Sequence, residues 1–174
     1  LHMMPNFHFL HYIRNSFISL ALLVGILALS GCSSSSPAPS SRFVLLDGTS
    51  VQTSDFAGKV LLVNFWATSC TSCVAEMPDL IATHQMYADK GFDTIAVAMA
   101  YDPPAFVVNF SQTRQLPFKV AIDNTGANAR EWGDVQLTPT TFIVNKRGEI
   151  VKTYVGMPDF PTLNRLIEVL LAEA

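Results

Sequence analysis

Cys70-Thr71-Ser72-Cys73 sets two thiols three residues apart, just after the apolar run Val60-Leu61-Leu62-Val63-Asn64-Phe65-Trp66. If Cys70 opens a helix, the two side chains share a face of its first turn, and their sulfurs come within disulfide distance. The first cysteine then also lies at unpaired backbone N–H groups and at the positive end of the helix dipole. Both favour the thiolate, the reactive form of the side chain. The spacing therefore predicts reversible thiol–disulfide chemistry. Cys70 is the exposed nucleophile, and Cys73, one turn further in, is the thiol that resolves a mixed disulfide.

Other cysteine chemistries fit less well. A zinc site needs about four ligands, and Cys70, Cys73 and His84 are the only good candidates. A copper carrier would want a second Cys/His cluster, and none exists. A peroxidatic cysteine would sit in a PxxxTxxC pattern, where this chain has Val63 and Ala67. No metal site is expected, and no cofactor beyond the Cys70–Cys73 couple. A bare CxxC is weak evidence, and the apolar strand before it and helix after it make the redox reading the stronger one.

The rest of the composition narrows the field. The chain has 174 residues, 49% apolar and only 14% charged, with a net charge of −3. It is too apolar for a disordered chain, and it has no Lys/Arg cluster to bind nucleic acid. Mean hydropathy is +0.31, with the surplus at the N-terminus. Three of the four histidines, His2, His8 and His11, lie in the first 11 residues. That leaves only His84 for the body, so a Cys-His-Asn hydrolase or a His-rich metal site is hard to build.

The N-terminus reads as an address. Residues 17–29, FISLALLVGILAL, follow Arg14 and are nearly all apolar. A spanning helix needs about 20 apolar residues, and a signal-peptide core about 7–15. The run ends at Leu29-Ser30-Gly31-Cys32, which resembles a bacterial lipobox. The resemblance implies cleavage before Cys32 and acylation of its thiol and amine, and two or more chains anchor stably in a bilayer. An uncleaved membrane anchor is the alternative. Ser33 after the acylated cysteine, by resemblance to Gram-negative lipoproteins, favours the outer membrane. Residues 33–41, SSSSPAPSS, read as a tether. Three parts are expected: a signal peptide over 1–31, a lipidated cysteine and tether over 32–41, and one domain over 42–174.

In that domain, Phe43–Leu46 and Thr49–Gln52 flank Asp47-Gly48 as a hairpin. Val60–Trp66 reads as a strand buried on both faces. A helix follows from Cys70 to about Lys90, with Pro78 inside it and Gly91 at its C-terminal cap. Strands are expected at Phe92–Met99, Phe118–Ile122, Thr140–Val144 and Glu149–Val155. Helices are expected at Ala105–Gln115, with Phe106, Val107 and Phe110 inward, at Gly126–Trp132, and at Phe160–Ala174, with Phe160, Leu163, Ile167 and Leu170 as its apolar stripe. This order predicts an α/β fold, a mixed central sheet with helices on both faces and an N-terminal β-hairpin.

Val63 to Pro78, VNFWATSCTSCVAEMP, resembles the active-site segment of TlpA/ResA/CcmG-type thioredoxin-like proteins. Thr138-Pro139-Thr140-Thr141-Phe142-Ile143-Val144 resembles their cis-proline segment, and Pro139 lies 66 residues beyond Cys73. The resemblance covers about residues 43–174. It implies a thioredoxin-like fold and thiol–disulfide exchange outside the cytoplasm. It also implies a cis bond before Pro139, which turns the Thr138 backbone toward substrate. Trp66 and Phe65 are expected to pack in the core and the site wall, with Trp66 also close enough to contact substrate. Glu76 matches the family's acid three past the second cysteine, expected to take the proton of Cys73; a helix-dipole acid is the alternative. Ser69 and Ser72 depart from the family's Trp and Pro, and Asn64 stands where thioredoxins carry a buried Asp.

The expected activity is a membrane-anchored thiol–disulfide oxidoreductase on the periplasmic face. The family resemblance favours a reductant of protein disulfides, fed electrons by a DsbD/CcdA-type membrane donor, in cytochrome c maturation. A net oxidase, a non-cycling adaptor and a metallochaperone are the alternatives.

Overall fold

The computed structural model describes residues 35–173. The expected signal peptide and Cys32 lie outside the described residues. The elements run β1 (Ser36–Pro37), β2 (Arg42–Val44), β3 (Ser50–Gln52), a 3₁₀ turn (Thr53–Phe56), β4 (Val60–Trp66), α1 (Thr71–Tyr87), β5 (Phe92–Ala98), α2 (Pro104–Arg114), β6 (Lys119–Ile122), α3 (Ala127–Glu131), β7 (Thr140–Val144), β8 (Glu149–Val155) and α4 (Phe160–Ala172). Six strands form a mixed sheet in the order β1-β8-β7-β4-β5-β6, and β2 and β3 form a separate hairpin. β4 is central. It pairs parallel with β5 and antiparallel with β7.

The alternation of β4 organises the core. Val60, Leu62 and Trp66 face one layer, with Met77 and Leu80 of α1, Val107 of α2, and Phe160, Leu163, Ile167 and Leu170 of α4. Leu61, Val63 and Phe65 face the other, with Phe43 of the hairpin and Trp132 next to α3. Side chains on a strand alternate between faces, so Asn64 belongs with Leu62 and Trp66 under α1. All four apolar positions expected for α4 are buried. Each such side chain contributes about 1.5–3 kcal/mol relative to exposure. That burial pins α4 to the same sheet face as α1. The expected architecture, a mixed central sheet with helices on both faces and an N-terminal hairpin, is the one observed.

Two expectations need correction. Residues 36–41, read as tether, belong to the fold. Ser36 and Pro37 pair with Ile150 and Glu149, and Ser41 is buried, with its hydroxyl donating to Glu131 and accepting from Trp132 Nε1. A serine can be buried when each hydrogen-bonding role is met, and composition alone does not show that. Phe106, assigned to the core face of α2, is 62% exposed. Val107 and Phe110 fill the space against the sheet, and Phe110 packs 5.1 Å from Trp66.

Candidate active site

Cys70 is the N-cap of α1, in an extended conformation, and its Sγ accepts a hydrogen bond of 3.2 Å from the Cys73 N–H. The side chain thus meets one of the helix's free donors, as the sequence requires. The Ser72 hydroxyl lies 3.5 Å from the same sulfur and can donate to it. Cys70 and Cys73 form a disulfide, with Cα atoms 5.2 Å apart. Cys70 is partly exposed and Cys73 has no exposed surface. One sulfur can meet an incoming molecule and the other cannot.

The Thr138–Pro139 peptide is cis. The Thr138 carbonyl oxygen lies 3.5 Å from Cys70 Sγ, although the two residues are 68 apart in sequence. Pro139 is buried, and its own carbonyl accepts from the Gly156 N–H at 2.8 Å. The β7–β8 hairpin thereby holds the Thr138 backbone against the sulfurs.

Beneath the disulfide, Glu76 is fully buried. Its Oε1 accepts from Asn64 Nδ2 at 2.8 Å, and the same nitrogen donates to Thr141 Oγ1 at 3.0 Å. Asn64 and Thr141 are cross-strand partners of β4 and β7. Glu76 Oε2 is enclosed and has no hydrogen-bond partner. Burial pushes this carboxyl up from 4.5 to about 7. The Asn64 hydrogen bond works against the rise, and the nearby charge of Asp79 adds to it. Charged carboxylates are costly in a dry interior, so a neutral or half-ionised acid is the physical result. A solvent-facing acid that merely offsets the helix dipole does not fit this burial.

A family model described as Redoxin matches residues 33–167. The chain belongs to the Redoxin family. It is 34% identical over 135 residues to the thiol-disulfide oxidoreductase ResA of Halalkalibacterium halodurans, covering 76% of each chain. It is also 40% identical to a Neisseria meningitidis protein described as a thioredoxin, with TM-score 0.74, covering 79% of this chain and 91% of that one. A thioredoxin-family thiol:disulfide interchange protein of Chlorobium tepidum superposes with TM-score 0.72 at 26% identity, covering 79% and 97%. This Redoxin is a thiol–disulfide oxidoreductase of the ResA type with a CxxC disulfide pair.

The structure brings Cys70, Cys73, Thr138 and Pro139 together, with Cys70 and Thr138 partly exposed and Cys73 and Pro139 enclosed, and buries Glu76 three residues past Cys73 on α1. Trp66 requires a correction. Its expected core packing is observed, against Phe110, but it has no exposed surface with which to touch substrate. Its parity on β4 turns it into the layer under α1 and α2, so it supports the wall from behind. Among the described residues there is no group of three or more His, Cys, Asp or Glu side chains placed to hold a metal ion.

Sequence reasoning missed Asp102. In this Redoxin its buried carboxylate accepts from the Thr68 N–H and the Thr68 hydroxyl, each at 2.6 Å. The Asp-Pro-Pro signal reads as the start of a helix, and nothing in it points 34 residues back. Asp102 clamps the Ala67-Thr68-Ser69 loop that delivers Cys70. Asp102→Ala leaves two donors unpaired. Stability is expected to fall by about 2–4 kcal/mol, since hydrogen bonds to charged groups are the strong ones. Asp102→Asn keeps one acceptor and should lose less. Urea unfolding of both oxidised variants checks this, and equal loss in the two would show that the pairing itself is not what stabilises the loop.

Proposed function

We propose that this protein is a lipid-anchored, envelope-facing reductant of protein disulfides that works through the Cys70–Cys73 couple with no further cofactor. The observation that supports it best is the asymmetry of the couple. Cys70 is reachable and receives the Cys73 N–H, whereas Cys73 is enclosed one turn inside, above Glu76. In the proposed cycle the Cys70 thiolate attacks one sulfur of a substrate cystine. The S–S bond breaks, and the other substrate sulfur leaves as a thiolate and takes a proton. Glu76 then accepts the Cys73 proton, and the Cys73 thiolate attacks Cys70 Sγ. The mixed disulfide breaks, and the second substrate sulfur leaves and is protonated. Two electrons have moved to substrate, and Cys70–Cys73 is left as the disulfide. A dithiol of the DsbD/CcdA class, by family resemblance, would restore it, and cytochrome c maturation is the process that resemblance favours. The Thr138 backbone and Pro139 would receive the substrate chain. Turbidimetric insulin reduction with dithiothreitol as donor tests this, and protein no faster than dithiothreitol alone would contradict it.

The anchoring rests on the sequence around Cys32. Cys32→Ser in the full chain is expected to abolish incorporation of labelled palmitate and to release the protein from the membrane fraction. Insulin reduction should stay unchanged, because the redox site is built from residues 35–173. Retention of the variant in the membrane would favour the uncleaved apolar segment as the anchor.

A further inference from the structure

The residue before the reactive cysteine is Ser69, which offers neither ring nor aliphatic surface. An aromatic side chain nevertheless stands beside the site. Tyr101 is 60% exposed, and its hydroxyl lies 3.3 Å from Thr138 Oγ1. Thr138 is the residue whose carbonyl oxygen lies against Cys70 Sγ. The backbone carrying Tyr101 is fixed. The Asp102 N–H donates to the Met99 carbonyl at 2.9 Å, and the Met99 N–H donates to the Trp66 carbonyl at 2.9 Å. The Asp102 side chain grips Thr68. The ring is therefore held out from a locked turn, with its hydroxyl tied to Thr138.

The surroundings indicate what it receives. Residues 67–72 and 135–141 carry no charged side chain, and Asp102, the acid beside Tyr101, is buried. Leu137, next to Thr138, is 65% exposed. It rims a cleft of about 330 Å³ that Trp132, Val135, Phe142 and Val155 also line, with Asp134 as its single charged lining residue. An exposed aromatic on a rigid rim, flanked by uncharged segments on either side of the reactive sulfur, gains by being covered with an apolar group.

We infer that Tyr101 is a specificity-determining side chain, which holds an aromatic or branched aliphatic residue flanking the cystine of a polypeptide substrate while Cys70 attacks. This rests on the cycling of Cys70–Cys73 described above and adds a docking contact that precedes the same balanced exchange. The hydroxyl–Thr138 contact orients the ring, and the ring makes the contact.

Three disulfides test it: a short peptide cystine flanked by Phe, the same peptide flanked by Ser, and hydroxyethyl disulfide. The wild-type protein is expected to prefer the Phe peptide over the Ser peptide in kcat/KM. Tyr101→Ala should lower kcat/KM on the Phe peptide about tenfold, the equivalent of one aromatic contact of about 1.4 kcal/mol. Its rates on the Ser peptide and on hydroxyethyl disulfide should stay within about twofold of wild type, a change of well under 1 kcal/mol. Tyr101→Phe keeps the ring and should retain most of the preference. Wild-type protein with no preference between the peptides would overturn the assignment. Tyr101→Ala slowing all three disulfides alike would also overturn it, since that is what altered sulfur chemistry does. Wild-type protein inert toward all three would instead overturn the cycling of the couple, and the docking role with it.

Discussion

Cys70→Ser is expected to lower insulin reduction by about 10³-fold or more, because a hydroxyl at neutral pH supplies almost no nucleophile. Serine at position 73 has a different outcome. In Cys73→Ser attack by Cys70 should still proceed, but the mixed disulfide has no internal thiol to release it, so substrate is expected to stay covalently bound. The geometry requires this asymmetry. The Cys70 sulfur faces outward, with the Cys73 N–H aimed at it and the Ser72 hydroxyl within reach. The Cys73 sulfur is enclosed. In the reduced protein those donors favour the Cys70 thiolate. Iodoacetamide at pH 7 should therefore alkylate Cys70 well ahead of Cys73. Equal labelling of the two would remove the assignment of roles. Full insulin reduction by Cys70→Ser would remove the couple itself, and no turnover by wild-type protein would revive the non-cycling adaptor.

What could be read from the sequence follows from the range of the interactions involved. The strand–CxxC–helix arrangement is local, so Cys70 as N-cap and Cys73 one turn inside could be read from neighbouring residues. The α4 stripe could be read for the same reason, since a 3.6-residue period needs no knowledge of the partner. The Asn64–Glu76–Thr141 contact joins three elements. Half of it was available, because alternation along β4 sets Asn64 on the face of Leu62 and Trp66. The other half needed the β4–β7 register, which is a tertiary fact. Trp66 shows the cost of leaving parity out. The same alternation that turns Asn64 toward Glu76 turns Trp66 inward, away from substrate. Asp102 and Tyr101 were out of reach, since their partners Thr68 and Thr138 are 34 and 37 residues away. Ser41 reversed its composition-based expectation because Glu131 and Trp132, both about 90 residues on, satisfy its hydroxyl.

Replacing Glu76 with glutamine tests whether the buried acid moves a proton or only fills space. Glu76 lies three residues past Cys73 on α1, so the two are neighbours on the helix. Its carboxyl sits near 7, with Oε2 unpartnered and able to accept. A general base contributes most when its pKa is close to the working pH, typically about 10²-fold or more. Glu76→Gln is therefore expected to slow resolution of the mixed disulfide by about 10²-fold at pH 7.5, and to slow the first attack by Cys70 much less. The pH profile carries the decisive sign. Below about 7 the wild-type acid is itself protonated and loses its advantage. At high pH Cys73 ionises unaided and the variant catches up. The gap between the two should be widest between those limits. Stability follows the same titration. Because the folded pKa is raised, the neutral acid is favoured in the fold. Its contribution is complete below 4.5 and is lost as pH rises through about 7. The loss is roughly 3 kcal/mol for a shift of this size. The urea midpoint of the oxidised wild-type protein should fall between pH 5 and pH 8, and that of Glu76→Gln should not. Stopped-flow resolution rates and the two denaturation series separate the outcomes. A variant that loses the pH-dependent stability but resolves at the wild-type rate at every pH would make Glu76 a buried structural acid, and Cys73 would then have to lose its proton by another path.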